Sequence, residues 1–271
     1  MTREKISDIK KWFAAYTAAF YCGDDFVDTN VRLKTLHTAK VAEEITDLAD
    51  DINLEQQQKN IATIIGLLHD CGRFEQIRKY RTFNDGESEN HALLAVRIME
   101  EQKIIDDLPA DAQLMITEAI KSHNAKAIEL PADVPQDTLL YAKMIRDADK
   151  LDIFRVVKVS YEQYLKDPSK ANNMAMNFGQ DTGKCSQAVL DDLLAHKQVE
   201  YTKLQTLDDR KLLQLCWVFD INFPPILQKL IDRGYIRMIF DALPQTQQME
   251  TAKQTVCKYV DTILPDYSKN I

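Results

Sequence analysis

Glycine and proline are both scarce in this sequence, which has 7 glycines and 8 prolines among 271 residues. Average usage near ~7% would give a chain of this length about 19 glycines. Sandwiches, barrels and propellers need a tight turn every roughly 8–12 residues, so the scarcity argues against those folds. The glycine-rich loops that cradle nucleotide phosphates, GxGxxG and GxxxxGKS/T, are absent as well.

An excess of basic charge and a long apolar segment are also missing. Lys and Arg number 34 against 42 Asp and Glu, which gives a net charge of −8. We therefore expect no nucleic-acid partner bound through a broad basic face and no polybasic contact with a membrane. The longest uncharged apolar run, residues 61–68, is too short to span a bilayer.

Cysteine usage indicates a reducing compartment. The five cysteines are an odd number, lie far apart and form no CxxC pair. This pattern predicts reduced thiols rather than a disulfide framework or a cysteine zinc site. The first residues also lack the apolar segment of a signal peptide, so we expect a cytoplasmic protein.

Apolar residues recur at helical spacing along the whole chain, which predicts an all-α protein. The last helix of the core, residues 136–159, is apolar on two sides and should be central and buried. We expect Gly72 to terminate one helix in the left-handed conformation and Ser88 to cap another. The predicted organisation is an N-terminal helical segment (1–30), a helical core (31–160) and a C-terminal helical cap (161–271), packed as one unit.

Turns and helix breaks are predicted in the C-terminal part at four places. They are Asp167-Pro168, Phe178-Gly179, Phe223-Pro224-Pro225 and Arg233-Gly234. The aromatic residues of this part are interpreted as cap core, with a nucleotide pocket as the alternative. They are Trp217, Phe219, Phe223, Tyr235 and Phe240.

Four of the five histidines lie on or beside apolar helical stripes. They are His37, His69, His91 and His123; we assign no role to His196. A single inward histidine is most often a core residue hydrogen-bonded to a carbonyl. Four such histidines would each need separate buried partners, whereas one shared cation satisfies a nitrogen of each.

Carboxylates accompany these histidines. Asp70 directly follows His69, and Asp147, Asp149 and Asp152 crowd the buried helix, where unpaired charge is expensive. Helical angles bury both Asp147 and Asp149 and do not choose between them as a metal ligand. For either one, the alternative is an ion pair with a neighbouring basic residue.

The order of these residues resembles the H…HD…H…H…D pattern of the HD-domain metal-dependent phosphohydrolases. The matching stretches are LHTAKVA at His37, GLLHDCGRFEQ at His69-Asp70, ENHALLA at His91, IKSHN at His123 and RDADKLD at Asp149. The resemblance covers about residues 31–159 and includes the HD-x-G-K/R core. Arg73 stands where many members have Lys, which preserves a basic side chain.

The resemblance implies an HD-type helical core and a binuclear metal site. The first ion would be held by His37, His69, Asp70 and Asp149. Asp70 would bridge to the second ion, which also takes His91 and His123. We expect one or two divalent transition metal ions, with iron or manganese favoured and zinc, cobalt or nickel possible.

The implied activity is hydrolysis of a phosphoester or phosphoanhydride, in a nucleotide-type metabolite, by a hydroxide bridging the metals. Asp70, Arg73 and Lys150 are the expected catalytic residues. Two alternatives stay open: a di-iron oxygenase built on the same fold, and a noncatalytic metal-containing ligand sensor. The expected partner is a small phosphorylated molecule, and the chain could form a homo-oligomer.

A basic cluster follows the His-Asp doublet. Its members are Arg73, Arg78, Lys79 and Arg81. We predict substrate contacts from Arg73, Arg78, Arg81 and Lys150, with a solvated loop face as the alternative. Residues 82–89 could rim the mouth of the site, although Asn84 and Asp85 are typical turn residues.

Overall fold

The computed structural model describes the backbone of residues 3–166 and 182–271, and the predicted turns at Asp167-Pro168 and Phe178-Gly179 lie outside these ranges. The described residues form helices and no strand, which confirms the all-α prediction. Two compact units comprise Met1–Met176 and Asn177–Ile271. None of the helices in the described ranges is both long and apolar enough to cross a bilayer.

The first unit contains seven α-helices among its described residues. They are α1 (Arg3–Ala18), α2 (Asp25–Asp51), α3 (Gln56–Leu68), α4 (Gly72–Tyr80), α5 (His91–Glu101), α6 (Ala110–Ser122) and α7 (Thr138–Lys166). A 3-10 turn, Asp85–Glu87, lies between α4 and α5. The helix predicted at residues 136–159 corresponds to α7 and is longer than expected.

The centre of the first unit is formed by α2, α3, α6 and α7, which pack against one another. Every residue of α3 from Asn60 to Leu68 is buried. Gly66 lets this helix approach α2 closely, because a Cβ there would lie 2.7 Å from the Cα of Ala42. On α7, Met144 and Ile145 face different sides and both are fully buried, as the two apolar stripes predict.

The prediction for Gly72 was wrong. Gly72 does not take a left-handed conformation. It is the first residue of α4, and a Cβ there would lie only 2.2 Å from the carbonyl oxygen of His91. Glycine is needed here because the backbones of α4 and α5 nearly touch, not because a helix ends.

The predicted cap of the helix that carries His91 was also wrong by two residues. Asn90, not Ser88, precedes α5, and its side-chain oxygen accepts hydrogen bonds from the backbone N–H groups of Ala92 and Leu93. Ser88 instead donates to the carbonyl oxygen of Asn84. His91 is therefore the first residue of its helix, at the end that faces the loop.

The described part of the second unit contains four short helices and one of 17 residues. They are α8 (Gln187–Leu194), α9 (Leu207–Trp217), α10 (Pro224–Asp232), α11 (Tyr235–Asp241) and α12 (Gln247–Ile263). The predicted breaks are present: α10 begins at Pro224, and Gly234 has φ +68° between α10 and α11. Among the aromatic residues predicted as cap core, Tyr235 and Phe240 are buried and the other three are half-buried.

Candidate metal centre

Four histidines and two aspartates from the first unit come together. His37 lies on α2, His69 and Asp70 follow α3, His91 begins α5, His123 follows α6, and Asp149 lies on α7. All four imidazoles are buried. Three of them lie at helix ends, so side chains from separate helices can converge on one position.

The Asp70 carboxylate lies between two pairs of histidines. Its Oδ2 is 3.4 Å from Nε2 of His37 and 3.7 Å from Nε2 of His69. Its Oδ1 is 3.5 Å from Nε2 of His91 and 4.0 Å from Nε2 of His123. The two groups thus share one carboxylate, and each has the spacing of a metal-ligand set.

Asp149 joins the first pair. Its Oδ1 is 3.0 Å from Nε2 of His37 and 3.8 Å from Nε2 of His69. Asp147, which helical angles could not separate from Asp149, is fully buried on the same helix. The structure therefore brings together all six residues that the resemblance implies.

Each imidazole is oriented by an acceptor at its Nδ1. The acceptors lie 2.7 to 2.9 Å away: a carboxylate oxygen of Asp152 for His37, the Gly66 carbonyl for His69, Asp85 for His91 and the Ile120 carbonyl for His123. These oxygens can only accept, so each Nδ1 carries the hydrogen. In the neutral imidazoles all four Nε2 lone pairs are then turned toward Asp70.

Several of the converging imidazole nitrogens are not satisfied by the part of the protein that the structure describes. Nε2 of His37 and Nε2 of His69 are buried and make no hydrogen bond of acceptable geometry in the described ranges, although carboxylate oxygens lie 3.0 Å and 3.7 Å away. The Nε2 atoms of His91 and His123 lie 3.0 Å apart, although each bears a lone pair. Buried polar atoms are rarely left unsatisfied, and imidazole nitrogens with carboxylate oxygens suit a divalent transition metal. The residues fit such an ion.

The pKa values of His37 and His123 shift in opposite directions. Burial and Lys34 lower the pKa of His37, but the neighbouring carboxylates of Asp149, Asp152 and Asp70 outweigh them and raise it to about 10. Burial and the charges of His91 and His69 lower the pKa of His123 to about 3. His123 is thus neutral at physiological pH, with its lone pair free to bind a cation.

Two basic side chains flank Asp70. Nζ of Lys34 donates to Oδ2 over 2.7 Å, and Nε of Arg73 lies 3.6 Å from Oδ1. Both cations also lie 5.5 Å from the centre of the Phe83 ring. Lys34 and Arg73 are more exposed than the histidines, so this flank is the accessible one.

Other predicted substrate residues contact different parts of the first unit. Arg78 donates to the Ala19 carbonyl, and Arg81 pairs with Asp24. Both are exposed, and none of their described contacts involves Asp70 or the histidines. Lys150 is half-exposed beside Asp149. His196, to which no role was assigned, stacks on Phe219 in the second unit.

Sequence reasoning missed four residues around the histidines. They are Lys34, Asp85, Asn124 and Asp152. Asp85 was interpreted as a turn residue and Asp152 only as a crowded acid. A usable signal existed for Lys34 and Asp152, because each lies three residues from a ligand candidate on the same helix. Asp85 and Asn124 carry no such periodicity.

Comparison with protein families adds one finding to this geometry. Residues 35–153 match the family model of the HD domain. The chain contains an HD domain. No curated protein and no solved structure matches the chain. The matched segment of the HD domain includes all six ligand candidates and Asp152, while Lys34 lies just before it.

Proposed function

We propose that this chain is a metal-dependent phosphohydrolase that cleaves a phosphoester or phosphoanhydride bond in a small nucleotide-type metabolite. The observation that carries the proposal is the Asp70 carboxylate shared by two histidine pairs, whose Nε2 atoms all point toward it. The HD-domain match together with this cluster supports a place among the metal-dependent phosphohydrolases. The nucleotide class is part of the proposal, and its only support is the resemblance to the HD-domain phosphohydrolases.

The proposed ligand set is divided between two positions. His37, His69, Asp70 and Asp149 would hold one divalent ion, and Asp70, His91 and His123 a second. When bound, such ions supply positive charge that polarises phosphate oxygens, and they activate water as a nucleophile. Asp70 would be a ligand at both positions, because Oδ2 lies beside the first and Oδ1 beside the second.

The chain itself would bind the phosphate on the accessible flank. Lys34 and Arg73 approach Asp70 from opposite oxygens, so they present two positive charges beside the ligand cluster. Arg73 is fixed there, because its guanidinium also donates to the Phe83 carbonyl and to Asp85. Fixed cations stabilise the charge that develops on a phosphoryl group. Lys150 is a further proposed contact.

The test joins metal analysis to an activity panel. Protein purified without chelators is analysed for bound metals and offered phosphomonoesters, phosphodiesters and phosphoanhydrides under anaerobic conditions. We expect about two ions per chain and release of phosphate or a phosphorylated product. His69→Ala and Asp70→Ala should abolish both ion binding and turnover, whereas the control His196→Ala should change neither.

Two results would contradict the proposal. Turnover that requires oxygen, with a mixed-valent iron signal, would identify an oxygenase. Tight nucleotide binding with no turnover of any substrate in the panel would identify a ligand sensor.

A further inference from the structure

The two histidine pairs around Asp70 are supported in the same way. In each pair, one imidazole donates its Nδ1 hydrogen to a carboxylate and the other to a backbone carbonyl. The carboxylates are Asp152 for His37 and Asp85 for His91, and the carbonyls belong to Gly66 and Ile120. The pairs differ in where the carboxylate stands: Asp152 lies within α7, and Asp85 lies in the 3-10 turn before α5.

Asp85 is held firmly although it lies in a turn. Besides His91, three side chains donate to its carboxylate: Arg73 over 3.1 Å, Gln76 over 2.8 Å and Asn124 over 2.9 Å. They come from α4 and from the residue after His123. The carboxylate therefore connects the turn to α4, to the start of α5 and to the end of α6.

We propose that Asp85 is a positioning residue for the second metal position, the one formed by Asp70, His91 and His123. Its carboxylate keeps hydrogen on Nδ1 of His91, so Nε2 is left as the ligand atom and the ring cannot turn away. Asp152 does the same for His37 at the first position. The inference rests on the proposed metal centre and adds that each position has its own supporting carboxylate.

The negative charge of the Asp85 carboxylate affects the His91 imidazole in addition to holding the ring in place. A carboxylate that accepts from a ligand imidazole raises its basicity, and loss of such a partner typically weakens metal binding about 10–100-fold. An asparagine at position 85 would be neutral, and its NH2 group would face only the donors of Arg73, Gln76, Asn124 and His91. The change therefore acts on the second position and leaves the ligands themselves intact.

The direct test is a Mn²⁺ titration of the full chain after removal of bound metals by a chelator. Asp85→Asn should weaken one of two Mn²⁺ equilibria about 10–100-fold and leave the other unchanged. Asp152→Asn should weaken the other one. Glu87→Gln is the matched control, since it removes one exposed carboxylate from the same turn and should change neither.

A spectroscopic readout separates positioning from general damage. In protein labelled with ¹⁵N-histidine and treated with a chelator, Nε2 of His91 should have the shift of an unprotonated nitrogen. Asp85→Asn should move that signal toward the protonated value and leave the His69 signals unchanged. Circular dichroism is measured alongside, to show that the helices of each variant are formed.

The outcomes distinguish the inference from the proposed function. Selective loss of one Mn²⁺ equilibrium in Asp85→Asn supports the inference even if the activity panel finds no substrate. Equal binding of two ions by wild type and variant, or a single ion in the wild type, overturns it even if phosphate is released. Weakening of both equilibria to the same extent also overturns it.

Discussion

Lys34 is the closest basic group to the shared carboxylate, because its ammonium donates to Asp70 over 2.7 Å. The pair is largely buried, and removal of one partner of a buried ion pair is costly because it leaves the other charge uncompensated. Lys34 lies one helical turn before His37 on α2, so the ligand and the cation share one helix face. The same ammonium can serve a substrate phosphate next to Asp70.

Replacing Lys34 tests whether its ammonium binds a substrate phosphate. Lys34→Gln should lower kcat/KM about 10–100-fold, since charge-assisted hydrogen bonds contribute about 1.5–3 kcal/mol. The measurement is steady-state kinetics on whichever phosphorylated substrate the panel identifies. Lys40→Gln is the control on the same helix, because Lys40 pairs at the surface with Glu43. An unchanged kcat/KM in Lys34→Gln would remove Lys34 from the phosphate site.

Asp209 is a structural carboxylate in the second unit. It accepts hydrogen bonds from the backbone N–H and hydroxyl of Ser186 and from the N–H groups of Gln205 and Thr206. Burial alone would raise the pKa of Asp209, but these hydrogen bonds to its charged form outweigh that effect and lower the pKa. Its charge therefore stabilises the unit.

The stability that the Asp209 carboxylate contributes should decrease at acid pH. Because the folded pKa lies below the unfolded value of about 3.9, the stabilisation is present above that value and is lost as the pH falls through the folded pKa. Asp209→Asn should lower the free energy of unfolding by roughly 1–3 kcal/mol at pH 7. Calorimetry should show this difference shrinking below about pH 4.

The control for this variant is Asp241→Asn, which removes an exposed carboxylate at the end of α11. It should change stability little at either pH. A difference between wild type and Asp209→Asn that stays constant down to acid pH would contradict the assigned role.

At the scale of helices, two glycines set how closely neighbouring backbones approach. Gly66 brings α3 against α2, and Gly72 brings α4 against α5. Both flank the His69-Asp70 doublet, so the position of the doublet depends on two close contacts. Sequence alone shows a glycine without showing what it touches, and for this reason Gly72 was mistaken for a helix terminator.

Gly66→Ala should destabilise the first unit. The added Cβ would lie 2.7 Å from the Cα of Ala42 and 2.8 Å from a methyl carbon of Ile45. Overpacking of this kind costs typically about 1–3 kcal/mol, measurable by chemical denaturation. Gly86→Ala is the control, since its Cβ would have no neighbour closer than 3.4 Å. Equal stability of the two variants would show that α2 and α3 can separate without cost.

Helical periodicity explains how much of the candidate site was predictable. A side chain on an apolar stripe must point inward, which locates His37 and His123 without knowledge of the fold. Hydrogen bonds between residues far apart in the sequence produce no such periodic pattern. Asp85 and Asn124 come together 39 residues apart, and nothing local to either residue indicates it. Within one helix, periodicity could not choose between Asp147 and Asp149 as the metal ligand, because both are buried or nearly so.

All six ligand candidates belong to the first of the two units. Ions that bind only the folded state stabilise it by about 2.7 kcal/mol at a concentration 100 times Kd. Mn²⁺ should therefore slow hydrogen exchange in peptides from α2, α3, α6 and α7. Mass spectrometry should find exchange in α9 to α12 unchanged. Equal protection in both units, or none, would contradict ion binding at this cluster.

The order of the cluster along the chain has a consequence for synthesis. Asp149 and Asp152 are separated from His37 by more than a hundred residues, yet they lie against its imidazole. Contacts between such distant residues require closure of long loops and form late in folding. On the ribosome, His37 emerges well before its partners on α7. A nascent chain therefore cannot complete the first metal position, which includes Asp149, until α7 has left the exit tunnel.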